Sequence, residues 1–174
     1  MVNKGKKEDS TVGKVHQSKI GPLLISISDE GISGLELPRP GQKAHTSDEI
    51  PLTEGQRKIF GQATDQIDQY FRGERRTFEL PLVWDNMGAF QRKVLKATLA
   101  IPHGKTSSYG KIASKVGSPK AYQAVGTALA KNPLPILIPC HRVLKSNGEV
   151  GGFMGMAQGL PLKKQLLDLE TNHD

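Results

Sequence analysis

Cysteine is almost absent from this chain, since Cys140 is the only one among its 174 residues. A lone thiol cannot form a disulfide within the chain, so we expect the protein to work in a reducing compartment. Apolar runs long enough to span a bilayer are also lacking, as is the apolar segment of a secretory signal near the first residues. We therefore expect an intracellular protein without membrane contact, nuclear if the organism is eukaryotic and otherwise cytoplasmic.

The five histidines lie scattered along the sequence, without ligand spacing among themselves or with Cys140. This scatter argues against a structural zinc site, and we expect no bound metal. Acidic residues are outnumbered, because 24 Lys and Arg against 17 Asp and Glu leave 24 − 17 = 7 net positive charges. A basic surface suits a polyanion such as nucleic acid, although a soluble protein can also be basic without such a partner.

The first part of the sequence predicts a disordered tail followed by a small α/β domain. Residues 1–13 are polar and rich in Lys and Gly, which is typical of disorder. The α/β domain covers residues 14–85 and begins with a strand in which Leu23, Ile25 and Ile27 alternate with small or polar residues. A turn at 29–31 and a return strand over 32–37 complete a predicted hairpin.

A helix is predicted after the hairpin. Thr53 and Gln56 fit a capping box, in which each side chain bonds to the backbone N–H of the other residue. Apolar residues then recur at helical spacing, which predicts one buried face, and Gly73 ends the pattern. The residues of this face are Ile59, Phe60, Ala63, Ile67, Tyr70 and Phe71. The segment FELPLVW, residues 78–84, favours a further strand, and nothing in this domain indicates chemistry.

Residues 86–174 predict a mostly α-helical second domain that contains a winged-helix-like helix-turn-helix. One helix of this motif spans about 109–116, with Ser108 as its N-cap. The next helix is predicted to begin at Ser118, with proline at its first position, and to end near residue 131 before an Asn-Pro pair. The predicted fold is therefore a small sheet plus helix followed by a helical domain.

The second helix of this motif is rich in small residues, including Ala121, Ala124, Gly126 and Thr127. Small side chains let a helix approach another surface closely, and a glycine inside a helix costs about 1 kcal/mol relative to alanine. Such a helix suits the reading position of a DNA-binding helix-turn-helix. Tight packing against a neighbouring helix explains the same composition, so the pattern leaves both interpretations open.

The segment ILIPCHRVL, residues 136–144, contains Cys140. Residues 136–138 are expected to be buried and extended, and Pro139 stiffens the backbone just before the thiol. His141 and Arg142 form an electropositive setting that is expected to lower the pKa of the thiol, and cysteine beside histidine is the usual pair of nucleophile and base. A buried structural cysteine is the alternative interpretation.

A histidine that acts as a base needs a group to orient it. Glu170 lies in a predicted last helix, where leucines at 162, 166, 167 and 169 supply the apolar positions. Its carboxylate could hold one ring nitrogen of His141, whereas a surface position is the plain alternative. The residues taken alone therefore leave Cys140 between packing and catalysis.

The segment NPLPILIPCHRV, residues 132–143, closely resembles the active-site segment of O6-alkylguanine-DNA alkyltransferases. The resemblance continues through SSYGKIA and SPKAYQAVG upstream and through GEVGGF and KKQLLDLE downstream, so that it covers residues 86–170. The N-terminal domain resembles the family's small α/β domain more weakly. The resemblance implies a single-turnover DNA-repair protein without a cofactor, and we expect a monomer that acts on double-stranded DNA carrying alkylated bases. In this family the damaged guanine is rotated out of the duplex through the minor groove, and its alkyl group moves irreversibly to cysteine.

The resemblance also assigns roles to residues. Cys140 is the implied acceptor, His141 takes its proton through a water molecule, and Glu170 orients His141. Asn132 ties the end of the recognition helix to the active-site turn, and Tyr109 donates a proton to N3 of guanine. The implied DNA contacts are Tyr109, Lys120, Ala121, Gln123, Ala124, Gly126 and Thr127.

The implied substrate pocket and the recognition helix both depart from the family pattern. The backbone around Val143 would read the exocyclic amine of guanine, with Phe153 and Met154 beside the base. Met154 stands where many relatives have serine, and the loop MGMAQGLP, residues 154–161, is longer than in several of them. The preferred alkyl size and any action on O4-alkylthymine therefore stay open. Gln123 stands where the family has an arginine that fills the space left by the flipped base.

Two other classes of protein compete with this interpretation. Alkyltransferase-like proteins recognise lesions without repairing them, but they replace the cysteine, commonly with tryptophan. A cysteine hydrolase could use Cys140, His141 and Glu170, yet it has no need of a helix-turn-helix made of small residues or of a basic surface.

We expect Gln123→Arg to increase both DNA affinity and the rate of repair. Arginine has the charge and the reach to fill the space of a flipped base, whereas glutamine offers only hydrogen bonds. Binding to a duplex with one O6-methylguanine and the single-turnover transfer rate measure the effect. Unchanged affinity and rate would show that this position does not limit base flipping.

Overall fold

A three-stranded antiparallel sheet and one long helix form the N-terminal part of the computed structural model, which describes residues 10–38, 50–154 and 159–172. The sheet order follows the sequence. The strands are β1 (Val12–Ser18), β2 (Gly21–Ile27) and β3 (Ile32–Glu36). Leu23, Ile25 and Ile27 of β2 are fully buried, because alternate side chains of a strand share one face. The predicted hairpin is confirmed as β2 and β3.

Helix α1 (Glu54–Phe71) lies against this sheet. Its capping box is confirmed, since the Thr53 hydroxyl accepts from Gln56 N at 3.1 Å and the Gln56 side-chain oxygen accepts from Thr53 N at 3.1 Å. The predicted apolar face is buried, apart from the half-buried Phe60. His16 Nε2 lies 2.8 Å from Asp68 Oδ1 and links β1 to the last turns of α1.

The C-terminal part is mostly helical, and the predicted fold class is confirmed. Its helices are α2 (Ala89–Leu99), α3 (Tyr109–Lys115), α4 (Tyr122–Ala130) and α5 (Leu160–Thr171). The first three pack against one another, and Ser108 caps α3 as predicted by accepting from Lys111 N at 3.2 Å. Among the described helices, none is long and apolar enough to cross a membrane.

Two short parallel strands bring distant parts of this domain together. Strand β4 (Ser107–Ser108) pairs with β5 (Val143–Leu144). Tyr109 follows β4 directly, and the 3₁₀ turn Cys140–Arg142 directly precedes β5. The pairing therefore places the start of α3 beside the cysteine turn.

The predicted start of the recognition helix is wrong. Ser118 does not cap it, because Ala121 N donates to Ser118 O at 2.8 Å and closes a turn instead. Helix α4 begins at Tyr122, with Ala121 as an N-cap that offers no side-chain hydrogen bond. Lys120 and Ala121 consequently lie before the helix, and Lys120 is exposed.

Two strand predictions also need correction. The segment 78–84 forms only an isolated bridge between Ile32 and Leu82, because Pro81 has no N–H to donate and only accepts from Ile32 N at 2.9 Å. In contrast, Val12 and Gly13 belong to β1 rather than to the predicted tail, whose residues 1–9 lie outside the described residues. Strand β1 shows little alternation, and its pairing with β2 fixes it.

The segment before the cysteine is a tight turn and not the predicted extended piece. Ile138 N donates to Leu134 O at 2.8 Å, and Ile136 adopts φ +72°. A β-branched residue rarely takes such a backbone conformation, which costs on the order of 1–3 kcal/mol unless the surroundings hold it. The segment is buried, as predicted. Residues 155–158 of the loop predicted over residues 154–161 lie outside the described residues, and its last two residues belong to α5.

The N-terminal sheet holds this turn directly. Leu35 N of β3 donates to Pro133 O at 2.8 Å. The hydroxyl of Tyr70, near the end of α1, donates to Glu170 of α5 at 2.8 Å. Both bonds connect the N-terminal part to the neighbourhood of Cys140.

We expect Gly31→Ala to destabilise the fold and Gly61→Ala to stabilise it. Gly31 adopts φ +151°, and a Cβ there would lie 2.5 Å from Pro81 O. Gly61 lies inside α1, and a Cβ there would meet nothing within 4 Å. Urea denaturation should show a loss of more than about 1 kcal/mol for Gly31→Ala and a gain of about 0.5–1 kcal/mol for Gly61→Ala. Equal changes in the free energy of unfolding for the two variants would contradict the inference that the close approach of Pro81 excludes a side chain at position 31.

Candidate functional site

The 3₁₀ turn Cys140–Arg142 lies at the centre of the site and directs its side chains to different surroundings. Cys140 is 4% exposed and lines a cavity of about 220 Å³, whereas His141 is fully buried against Glu170. The cavity is mostly apolar. Besides Cys140 it is lined by Tyr109, by Gly126, Leu129 and Ala130 of α4, and by Gly152, Phe153 and Met154.

The Glu170 carboxylate accepts five hydrogen bonds although it is only 1% exposed. Oε1 accepts from Tyr70 Oη at 2.8 Å, His141 Nε2 at 2.7 Å and an Arg142 guanidinium nitrogen at 3.0 Å. Oε2 accepts from Arg142 Nε at 2.8 Å and from Gly104 N at 3.1 Å. Burial alone would raise the pKa of Glu170, but the bonds from His141 and Arg142 hold it well below its usual range. Glu170 is therefore an ionised acceptor.

An ionised Glu170 fixes the tautomer of His141. Because a carboxylate only accepts, His141 Nε2 carries the hydrogen of the 2.7 Å bond. Burial lowers the pKa of His141, and the Glu170 charge opposes this effect without reversing it. The ring is therefore neutral at rest, and its Nδ1 has a lone pair. That atom is buried and has no hydrogen-bond partner among the described residues.

The pKa of the Cys140 thiol is raised, whereas the neighbouring residues in the sequence predicted that it would be lowered. Burial raises the pKa of Cys140, while a hydrogen bond with Asn132 and the charge of Lys163 lower it only in part. Arg142 does not activate the thiol, because its guanidinium binds Glu170 and donates to Ile101 O. Cys140 is therefore a protonated thiol at rest, and it could act as a nucleophile only after a base removed its proton.

Lys163 is part of the site but is not among the residues predicted from the sequence. It is 1% exposed, and its Nζ donates to Val143 O at 2.7 Å and to Gly152 O at 3.4 Å. Burial lowers the pKa of Lys163 to about 8, and the nearby Cys140 acts in the opposite direction. A sequence signal existed, because Lys163, Leu166 and Glu170 follow the spacing of one helix face and two of them are charged.

Asn132 stabilises the turn that carries the cysteine. Its amide donates to Ile138 O at 3.0 Å, and its Oδ1 accepts from Leu134 N at 3.0 Å. These two bonds span the turn with the strained Ile136, and the same side chain lies within hydrogen-bond reach of the thiol. The end of α4 is thereby connected to the cysteine turn.

Tyr109 forms the opposite wall of the cavity. Burial and the nearby Cys140 raise the pKa of Tyr109, so its hydroxyl remains a donor. Its ring lies under the Lys163 ammonium, 5.9 Å from the ring centroid. A Cβ at Gly151 would lie 3.0 Å from the Tyr109 hydroxyl, so this glycine permits the close approach.

The remaining residues singled out in the sequence fall into three groups. Phe153 and Met154 line the cavity, whereas Val143 is buried behind it and its carbonyl accepts from Lys163. Gly126 faces the cavity. The exposed side of α4 carries Gln123, Ala124 and Thr127. Within the described ranges, no group of three or more His, Cys, Asp or Glu could hold a metal ion.

Comparison with known proteins gives a consistent result for both parts of the chain. Residues 12–83 match the model of the "6-O-methylguanine DNA methyltransferase, ribonuclease-like domain", and residues 89–172 match that of its "DNA binding domain". The methylated-DNA–protein-cysteine methyltransferase of Methanosarcina acetivorans is 37% identical over 90% of this chain and 96% of its own length. That of Mycobacterium leprae is 38% identical over 89% of each chain. The crystal structure of Mycobacterium tuberculosis OGT in complex with DNA is 35% identical, covers 92% of this chain and 93% of its own, and superposes with a TM-score of 0.78.

We expect Glu170→Gln to lower stability at neutral pH and to remove part of its pH dependence. The folded-state pKa of Glu170 lies below the unfolded value of about 4.3, so its ionised form stabilises the fold above that pH and ceases to do so as the pH falls. In the wild type, this group contributes a slope of up to about 1.4 kcal/mol per pH unit in acid. The variant also leaves Arg142 as a buried charge without its partner, which costs about 3–5 kcal/mol.

Urea unfolding between pH 3 and pH 7 measures both effects. Glu149→Gln is the matched control, because the pKa of Glu149 is also lowered, by Lys145, but on the exposed surface. Glu149→Gln should leave the pH dependence of the free energy of unfolding almost unchanged. Parallel pH curves for the wild type and Glu170→Gln would contradict the account of this carboxylate.

Proposed function

The chain belongs to the 6-O-methylguanine DNA methyltransferase family, and on this premise we propose that it repairs DNA by transferring the alkyl group of O6-alkylguanine to its own Cys140. One observation carries the proposal. The only cysteine of the chain lines a cavity, and the residue after it is a neutral histidine bound to an ionised carboxylate. This is the arrangement that a buried thiol needs in order to become a nucleophile.

The first step of the proposed reaction is proton transfer. The Cys140 thiol gives its proton to Nδ1 of His141, through a water molecule as the family resemblance implies. The resulting imidazolium is stabilised by Glu170, which binds Nε2 at 2.7 Å. Lys163 and the Asn132 amide both favour the thiolate that forms. Because the thiol is protonated until this step, the acceptor is protected from oxidation in the resting protein.

The second step is attack on the alkyl carbon. The thiolate forms a bond to that carbon, the carbon–O6 bond breaks, and the electron pair passes into the guanine ring. The Tyr109 hydroxyl donates to N3 and neutralises the developing charge. After Tyr109 has protonated N3, the proton that His141 took from Cys140 restores the Tyr109 phenol, so guanine leaves neutral and the cysteine ends as a thioether. No second nucleophile removes the alkyl group, so each chain reacts once.

We propose that the damaged base reaches the cavity by leaving the duplex. A side chain buried beside α4 cannot reach O6 of a stacked guanine, and unstacking costs a few kcal/mol, least for a damaged base. Gly126 at the cavity and the exposed Gln123, Ala124 and Thr127 of α4 suit close approach in a minor groove about 6 Å wide. The net charge of +7 supports binding to phosphates. We propose that the protein binds as a monomer, with Lys120 before α4 among its phosphate contacts.

The two competing classes have less support. A protein that only recognises lesions needs no acceptor, yet here a histidine and a carboxylate are assembled next to a cysteine. A hydrolase must admit water to its covalent intermediate and then release the product. Multiple turnover therefore distinguishes a hydrolase from a protein that is consumed in the reaction.

We expect the wild-type protein to gain one methyl group on the Cys140 peptide when it is mixed with a duplex containing O6-methylguanine. One equivalent of lesion should disappear per equivalent of protein. Cys140→Ser should abolish transfer, because a serine hydroxyl is a far weaker acid and nucleophile, while DNA binding persists. Mass spectrometry of the peptides and a gel-shift assay measure these outcomes.

Three results would contradict the proposal. Lesions that persist with tight binding indicate recognition alone, and repeated turnover on an ester or amide indicates a hydrolase. Loss of both transfer and DNA binding in a folded Cys140→Ser variant indicates a different mechanism. Urea unfolding of the variant shows whether it is folded.

A further inference from the structure

We propose that Tyr70 of the N-terminal domain is a positioning residue for alkyl transfer, because its hydroxyl orients the Glu170 oxygen that holds His141. The inference deepens the proposed function and rests on it for the effect on rate. It assigns the N-terminal domain, in which the sequence indicates no chemistry, a direct contribution to the site.

The geometry supports this role. Tyr70 Oη donates to Glu170 Oε1 at 2.8 Å, and the same oxygen accepts from His141 Nε2 at 2.7 Å. All three side chains are at most 1% exposed, so water does not replace either bond. Tyr70 reaches Glu170 from α1, across 100 positions of the sequence. The contact is thus a property of the assembled fold and not of the C-terminal domain alone.

Three neighbouring rings hold the Tyr70 ring in place, so that its hydroxyl points to Glu170. Its centroid lies 5.4 Å from that of Phe71, 5.4 Å from that of Phe78 and 6.2 Å from that of His103. Burial, followed by the charge of Glu170, raises the pKa of Tyr70, so the phenol stays protonated and acts as a donor. A fixed ring with a permanent donor limits where Oε1 can lie.

The hydrogen bond also changes the electrostatics of His141. A donor on Oε1 draws charge from the oxygen that stabilises the imidazolium, so the loss of the Tyr70 hydroxyl should make His141 hold a proton more tightly. The other oxygen of Glu170 is held by Arg142 and Gly104 and keeps its charge partners. The titratable and charged groups that face this cluster from all packed elements are Cys140, Arg142, Lys163, Glu170, Tyr70 and, against the tyrosine ring, His103.

Tyr70 also fills space between the domains. A purely structural role predicts that its substitution changes stability but not the protonation of His141. Tyr70→Phe separates the two roles, since it keeps the ring and removes only the hydroxyl. Thr98→Val is the matched control. It removes a fully buried hydroxyl that donates to Val94 O at 2.8 Å inside α2, and it makes no bond to Glu170.

The test combines two measurements on the full chain. The first is the pH profile of the single-turnover rate of methyl transfer. The second is the titration midpoint of His141, measured by nitrogen NMR without DNA. Tyr70→Phe should move both the acid limb of the rate profile and the His141 midpoint to higher pH, by roughly half a unit. Thr98→Val should lower stability and leave both unchanged.

A second variant keeps the test decisive if Tyr70→Phe folds poorly. Incorporation of 3-fluorotyrosine at position 70 retains the ring and makes the phenol a stronger donor, so the His141 midpoint should move to lower pH. If neither substitution moves the midpoint or the acid limb, the positioning role is overturned. If the wild type transfers no methyl group at all, the proposed function fails, while the His141 midpoint still decides the role of Tyr70.

Discussion

The buried carboxylate of Glu170 determines how the rest of the site is arranged. A charge at this depth is strongly unfavourable unless donors surround it, and here they come from α1, from the segment at Gly104 and from the cysteine turn. Each donor fixes a part of the fold relative to α5. The carboxylate therefore orients His141 and at the same time connects the two domains, so stability and the proposed chemistry depend on the same few bonds.

This arrangement explains why the thiol can be inert and still become reactive. The pKa of Cys140 is raised by burial, and the cation next to it in sequence, Arg142, is bound to Glu170. In the proposed reaction, activation comes instead from His141, a base without charge at rest. Lys163 and the Asn132 amide complete the setting, because they favour the thiolate once it has formed. A protein whose proposed acceptor is consumed in one reaction benefits from a thiol that other electrophiles do not reach first.

The sequence predicts the parts of this site that depend on local pattern or on family resemblance. Helix α1 and its capping box follow from spacing, and the expected contact between His141 and Glu170 is present at 2.7 Å. What the sequence does not contain is the result of tertiary contact. The predicted strand at 136–138 is a turn because Asn132 and Leu134 bond across it, and Lys163 is buried because carbonyl groups of Val143 and Gly152 accept from it. Helix α4 begins later than predicted, because the backbone forms a turn at Ser118 instead of the N-cap that local propensity favours there.

The positions of protons in the cluster test the central claim most directly, and neutron diffraction of the resting protein at neutral pH would reveal them. We expect deuterium on His141 Nε2 along the bond to Glu170, on the Tyr70 hydroxyl and on the Cys140 thiol, with none on His141 Nδ1 and none on either oxygen of Glu170. Deuterium on the Glu170 carboxylate or on Nδ1 would contradict the account, because His141 would then lack either its ionised partner or the lone pair that accepts the thiol proton.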